Sequence, residues 1–321
     1  MLYGRLTGIE KDVSRLVMGI EVARQPEHDE AWRLMDALFE RGATAFDTAH
    51  IYGEKAERTL GSWIADRGVR EQVVLIGKGA HFMGDRQRVT PEDIASDLRE
   101  SLDRMGTDYI DLYLLHRDNP AVRVGPIVEA LNAERDAGLI RAFGGSNWSH
   151  ERIQDANDYA SAHGLTPFVA SSPNYSLAEQ IEEVWAGCLG IGGAAQAEAR
   201  AWYRRTQMPV FAWSSMARGF MAGRITREIY ERAPETIDQA TRQGFCHEIN
   251  FRRLGRATEL AQRKGVTVAQ IAMAFITHQG LNVFPLVSCM RPRELEENVA
   301  ALEMELTPEE SAWLDLERDE P

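Results

Sequence analysis

FDTAHIYG, residues 46–53, is the stretch on which the fold turns: an apolar run stops at the carboxylate of Asp47, and Tyr52 follows five residues later. Alone it reads as a strand entering a polar turn, with Asp47 capping that turn. The neighbouring runs decide whether it is more. VVLIGK (73–78) ends on Lys78, and YIDLYLLH (109–116) ends on His116. Successive strands that each end on a titratable group suggest one rim of a parallel sheet rather than scattered surface accidents.

Working outward, apolar runs fall at 16–19, 43–47, 73–78, 109–116, 140–146, 167–171, 209–213 and 283–287. They are too short for helices, rich in Val, Ile, Phe and Tyr, and nearly continuous, as in strands buried on both faces of a parallel sheet. Helices lie between them. Ala31, Leu34, Met35 and Leu38 repeat at helical spacing before Gly42, where a C-terminal cap belongs. Thr90-Pro91 and Ser149 start two more, and Thr267–Gln270 and Thr307–Glu310 read as capping boxes.

Eight strands alternating with helices predict an α/β fold, a (β/α)8 TIM barrel formed by residues 1–321 as a single domain. LYGRLTGI at the start reads as an N-terminal β-hairpin under the barrel. Long rim loops are expected at 178–193 and 214–255, the second an irregular insertion. A doubly wound nucleotide fold would need a glycine fingerprint after an early strand. The one candidate, Gly190–Ala195, follows the poor strand EEVWAGCL and lacks an acidic residue about 20 positions on, so it reads as a loop.

The 321 residues carry a net charge of −13, which argues against a nucleic-acid partner. Cys188, Cys246 and Cys289 are far apart, so neither a disulfide framework nor a zinc ribbon is expected. Reduced thiols suit a cytoplasmic protein. MLYGRLTGIEKD shows no leader pattern, and no run is long and apolar enough for a membrane span.

In a barrel, Asp47, Tyr52, Lys78 and His116 fall at the C-terminal rim. A phenol titrates near pH ~10, and an adjacent ammonium eases loss of its proton. The ammonium needs a counter-charge, which Asp47 can supply. A neutral histidine can donate to the same oxygen as the phenol. The set reads as a proton donor aimed at a carbonyl oxygen, with a redox cofactor as the other half.

These four residues, with GATAFDTAHIYG, LIGK, DLYLLHRD, GGSNWS and ELEENVAAL, resemble the aldo-keto reductase superfamily over about residues 13–316. The resemblance implies an NAD(P)H-dependent oxidoreductase that interconverts an aldehyde, ketone or sugar carbonyl and its alcohol. Tyr52 would be the general acid, tuned by Lys78 and Asp47, and His116 would orient the carbonyl. Ser146 and Asn147 match carboxamide contacts, and Ser172 stands where the family commonly has Gln. Trp213 matches the ring stacked on the nicotinamide. Ser214, Met216 and Gly219 match the pyrophosphate loop, and Glu297 and Asn298 the adenine contacts. Ser288 and Glu294 fall at places that often carry base for the adenosine 2′-phosphate, with Arg291 and Arg293 nearby. NADP(H) is the family default, and NAD(H) the alternative.

His50, Arg117 and Trp148 are candidate substrate contacts. An inward Arg117 would suit a hydroxylated or anionic substrate such as a sugar; the alternative is an ion pair with Asp118. Two other readings compete: a cofactor-binding sensor or regulatory subunit with little turnover, and a metal-dependent hydrolase using His50, His81 and His116 with Asp47. The dense ligand spacing for the hydrolase is missing, so no metal is expected.

Overall fold

The computed structural model describes residues 1–25 and 27–320. Its strands are β1 (Tyr3–Leu6), β2 (Ile9–Ser14), β3 (Val17–Met18), β4 (Ala45–Asp47), β5 (Val74–Gly79), β6 (Ile110–Leu115), β7 (Ile140–Ser146), β8 (Ala170–Ser172), β9 (Val210–Ala212) and β10 (Val283–Val287). The last eight close a parallel barrel in the order β10-β3-β4-β5-β6-β7-β8-β9, surrounded by helices: a (β/α)8 TIM barrel. Contacts cluster in two units, Met1–Ser172 with Ser288–Leu295, and Pro173–Val287 with the chain from Glu296 onward.

In the first unit β5 and β6 are buried along their whole lengths. That is why they read as unbroken apolar runs instead of alternating ones. Parallel register aligns Asp47 with Ile76 and Lys78 with Leu114. The strand ends, and the polar groups on them, therefore come level at one rim. Outside, α2 (Glu54–Arg67) crosses α3 (Pro91–Met105) at Gly61, where an added Cβ would lie 1.9 Å from the Met105 carbonyl oxygen. Only a residue without a side chain permits that approach.

The antiparallel β1–β2 hairpin continues beyond LYGRLTGI to Ser14. Lys11 fastens it to the strand beginnings. Its ammonium donates to the Val73 carbonyl at 2.9 Å and pairs with Asp111 at 2.8 Å. Arg70 holds the other oxygen of Asp111, also at 2.8 Å.

In the second unit β9 and β10 pair with Phe211 beside Phe284, whose rings stack at 4.9 Å. Residues 214–255 are more ordered than expected. They carry α7 (Arg227–Arg232), α8 (Gln239–Phe245) and the start of α9 (Glu248–Lys264), besides three-residue and six-residue 3-10 turns. Thr226 and Asp238 cap the two short helices through side-chain oxygens, a local signal that was readable. The Gly190–Gly193 run is a loop, with Gly193 at φ +79°. Both capping boxes form, at Thr267 before α10 (Val268–Thr277) and at Thr307 before α12 (Pro308–Leu314).

Candidate active site

β4 ends on Asp47 and β5 brings Lys78 beside it. The ammonium donates to both carboxylate oxygens at 2.5 Å and to the Thr48 carbonyl at 3.1 Å. Lys78 and Asp47 are each 3% exposed, so little water screens this pair. Burial pushes the Asp47 carboxyl up, and the Lys78 charge pulls it back.

After Asp47 the chain makes a 3-10 turn, His50–Tyr52, and Gly53 at φ +105° then turns it into α2. A left-handed residue is needed there, and glycine takes it without steric cost. The turn swings Tyr52 back over the rim. Its ring centroid lies 5.4 Å from the Lys78 ammonium and 5.5 Å from the His116 ring, which it meets edge-on. Arg24 flanks it, with the guanidinium 5.1 Å from the ring centroid and a 2.8 Å hydrogen bond to the Tyr52 carbonyl. Burial raises the phenol above its ordinary value. Lys78 opposes that shift, Asp47 adds to it, and Arg117 and Arg24 oppose it more weakly. The phenol is thus protonated at neutral pH, while a cation stands ready to stabilise the phenolate.

His116 is 7% exposed, and its Nδ1 has no hydrogen-bond partner among the described residues. Burial first, then the charges of Lys78 and Arg117, hold its pKa well below the usual histidine value. It is a neutral imidazole. His81 packs against it at 4.9 Å between ring centroids and is itself lowered by burial. Sequence reasoning considered His81 only as a metal ligand. No cluster of three or more His, Cys, Asp or Glu side chains suited to a metal exists among the described residues.

Beside this group, Asn147 donates to the His116 carbonyl at 3.1 Å and to Ser146 Oγ at 3.2 Å. Ser146 Oγ in turn donates to the Ser172 carbonyl at 3.0 Å. Asn147 sits at φ +59°, a conformation asparagine tolerates better than most residues. The Ser172 hydroxyl is fully buried with no partner among the described residues. A buried unsatisfied hydroxyl is costly and fits a site where an amide group completes the bonding. The residues present therefore suit a nicotinamide.

The three candidate substrate contacts are placed as follows. His50 is tied to α3, with Nε2 2.8 Å from Glu100 and Nδ1 3.7 Å from Asp97. Trp148 is fully buried against Phe168 and donates its indole N–H to the Arg117 carbonyl at 3.1 Å, so it belongs to the wall. Arg117 does not pair with Asp118, which is held by Arg152 at 3.2 Å. It folds back instead, donates to the His116 carbonyl at 2.9 Å, and places its charge on Tyr52 and His116.

The remaining first-unit candidates lie after β10. Glu294 accepts from the Met290 N–H at 2.8 Å and pairs with Arg291 at 2.7 Å. Burial raises Glu294, but these bonds outweigh it and hold the carboxyl below its usual value. Ser288 stands just ahead of this pair and is exposed.

In the second unit, Trp213 is half-buried beside Trp185, 6.1 Å between rings, and its carbonyl accepts from Asn174 at 3.0 Å. Ser214, Ala217, Arg218 and Gly219 all have positive φ, so the backbone after β9 is sharply curled, with Met216 inside the curl. Three non-glycine residues in that region store strain. Glu297 and Asn298 lie half-exposed on α11 (Pro292–Leu302). The Glu297 carbonyl accepts from Gln270 at 3.3 Å.

The model of the aldo/keto reductase family matches residues 16–316. Norsolorinic acid reductase stcV of Emericella nidulans is 30% identical over 296 residues, spanning 87% of this chain and 70% of the relative. Among solved structures, glycerol dehydrogenase AKR11B4 of Gluconobacter oxydans superposes with a TM-score of 0.75 at 20% identity, covering 97% of this chain and 93% of the other. The thermostable aldo-keto reductase Tm1743, solved with the inhibitor epalrestat, gives a TM-score of 0.72 at 22% identity, covering 98% and 99%. The chain belongs to the aldo/keto reductase family and is an oxidoreductase of carbonyl and alcohol groups that uses a nicotinamide cofactor. No helix among the described residues is long and apolar enough to cross a membrane.

Proposed function

We propose that Tyr52 is the general acid of an NAD(P)H-dependent carbonyl reductase and that the whole chain acts as one catalytic domain. The observation that carries this reading is the buried Lys78–Asp47 pair, 2.5 Å apart, beside a half-buried phenol and a neutral His116. Tyr52 gives its proton to the substrate oxygen, and Lys78 stabilises the phenolate left behind. Asp47 holds the Lys78 ammonium in place through both carboxylate oxygens. His116, carrying no charge of its own, orients the carbonyl by a hydrogen bond. When bound, the reduced nicotinamide supplies the hydride to the carbonyl carbon.

Ser146, Asn147 and Ser172 are assigned to the carboxamide, a role supported by the unpartnered Ser172 hydroxyl. By family resemblance Trp213 takes the nicotinamide ring, Ser214, Met216 and Gly219 the pyrophosphate, and Glu297 and Asn298 the adenine. NADP(H) remains the preferred cofactor by resemblance. To hold a 2′-phosphate, however, Arg291 must exchange Glu294 for the phosphate, a cost NAD(H) does not carry. Arg117, turned toward Tyr52 and His116, supports a hydroxylated carbonyl such as a sugar. Cys188, Cys246 and Cys289 are all buried, and a reduced state of these widely spaced thiols suits a cytoplasmic setting.

A carbonyl panel including aldoses, run with NADPH and with NADH, tests class, cofactor and substrate together. Turnover is expected with at least one aldehyde. Stoichiometric nucleotide binding without turnover across the panel would instead establish a sensor or regulatory subunit.

A further inference from the structure

The second unit holds a cavity of about 440 Å³ between α6 (Ala197–Thr206), the end of α10 and α12. Tyr175, Arg200, Arg204, His278, Gln279 and Asp315 contribute its polar lining. Arg200 is 8% exposed. One guanidinium nitrogen, Nη1, is spent on the backbone, donating to the Ile191 carbonyl at 2.9 Å and to that of Gly193. Its Nε and Nη2 have no acceptor, and no carboxylate pairs with it, among the described residues.

A charge held this far from water normally has a counter-ion, because carbonyl dipoles alone compensate it poorly. Two neutral donors of the cavity are also unspent. The Tyr175 hydroxyl makes no hydrogen bond to a described residue, and burial raises its pKa, so it keeps its proton. Gln279 Nε2 is buried and unpartnered. Arg204 uses Nε on the Gln279 carbonyl at 2.9 Å and has no ion pair among the described residues. The acceptor side is different. Asp315 is already held by Arg253 at 2.9 Å, and Glu317 is exposed. Phe275, Leu177 and Leu306 add apolar wall.

We propose that this cavity binds the oxyanion head, a carboxylate or a phosphoryl group, of a small organic molecule. Arg200 provides the buried charge, Arg204 a second cation, and Tyr175 and Gln279 neutral donors. A planar guanidinium with its Nε–Nη2 edge free matches either head group. The loop carbonyls on Nη1 fix its orientation, so little is lost in ordering it when the ligand arrives.

The test is calorimetric titration of the full chain with sodium phosphate and, separately, sodium benzoate, in chloride buffer of matched ionic strength. Saturable binding of at least one anion is expected. Binding of both assigns the site to the oxyanion alone, of benzoate only to carboxylates with an apolar body, and of phosphate only to phosphoryl groups. Arg200→Gln should abolish binding. Because that change also frees two loop carbonyls, the double variant Tyr175→Phe/Arg204→Gln, which leaves them untouched, should weaken binding about tenfold. Absence of saturable binding for both anions, or wild-type affinity in the double variant, overturns the proposal.

Discussion

Lys78 and Arg200 are both buried cations, and they are housed in opposite ways. Lys78 is gripped by both oxygens of Asp47 at 2.5 Å. Among the described residues, Arg200 meets only the Ile191 and Gly193 carbonyls. A cation that already owns its counter-charge can bias a neighbour's proton equilibrium without needing a ligand; here the neighbour is Tyr52. A cation left with dipoles alone keeps most of its charge available to whatever enters the cavity. Burial by itself therefore says little about a charged residue's role, and the partner it keeps says most.

The largest expected effect separates the two directly. Lys78→Met leaves a carboxylate buried without its counter-charge and should cost about 3–5 kcal/mol of stability. Arg200→Gln removes a donor from two carbonyls but strands no charge, so about 1–3 kcal/mol is expected. Chemical denaturation of both variants reads the difference. Equal losses would erase the contrast.

A smaller effect lies in the pH dependence. His116 has a folded pKa below its unfolded one. The unfolded chain therefore binds a proton near pH ~6.5 that the folded chain refuses. The stability this gives is complete above that pH and is lost as the pH falls below it, by up to about 1.4 kcal/mol per pH unit. Burial is the first cause and Lys78 the next, so His116→Gln should flatten the slope more than Lys78→Met does. Unfolding curves between pH 5 and 8 in the two variants check the order; His81, lowered in the same direction, leaves a residual slope in both.

The smallest effect concerns the exposed pair after β10. Glu294→Gln releases Arg291 and should lower the KM for NADPH several-fold while leaving that for NADH nearly unchanged, since exposed ion pairs are worth about 1 kcal/mol or less. Identical shifts for both cofactors would remove Arg291 from the 2′-phosphate role.

Much of this was legible from the chain. β7 and β10 were read to the residue; for β10 a continuous apolar run with a sharp polar end leaves little latitude. That Asp47, Tyr52, Lys78 and His116 gather at one rim was legible because strand ends in a barrel, and the turns just after them, converge by construction. Side-chain direction was not. Nothing local reveals that Arg117 turns back onto His116 while Asp118 takes Arg152, or that His50 is claimed by Glu100. The last two pairings join residues more than 30 positions apart, and the first depends on which way a side chain turns beside its own neighbour. Arg200 did leave a trace: in AEARAWYRRT it falls on the buried face with Ala199, Trp202 and Tyr203, and a charge on an apolar stripe invites the search for its partner.

Replacement of Tyr52 by phenylalanine bears most directly on the central claim, because it deletes the proton donor and keeps the ring. Carbonyl reduction should fall by about a hundredfold or more, while fluorescence titration shows nucleotide affinity unchanged. Undiminished turnover in Tyr52→Phe would contradict the account.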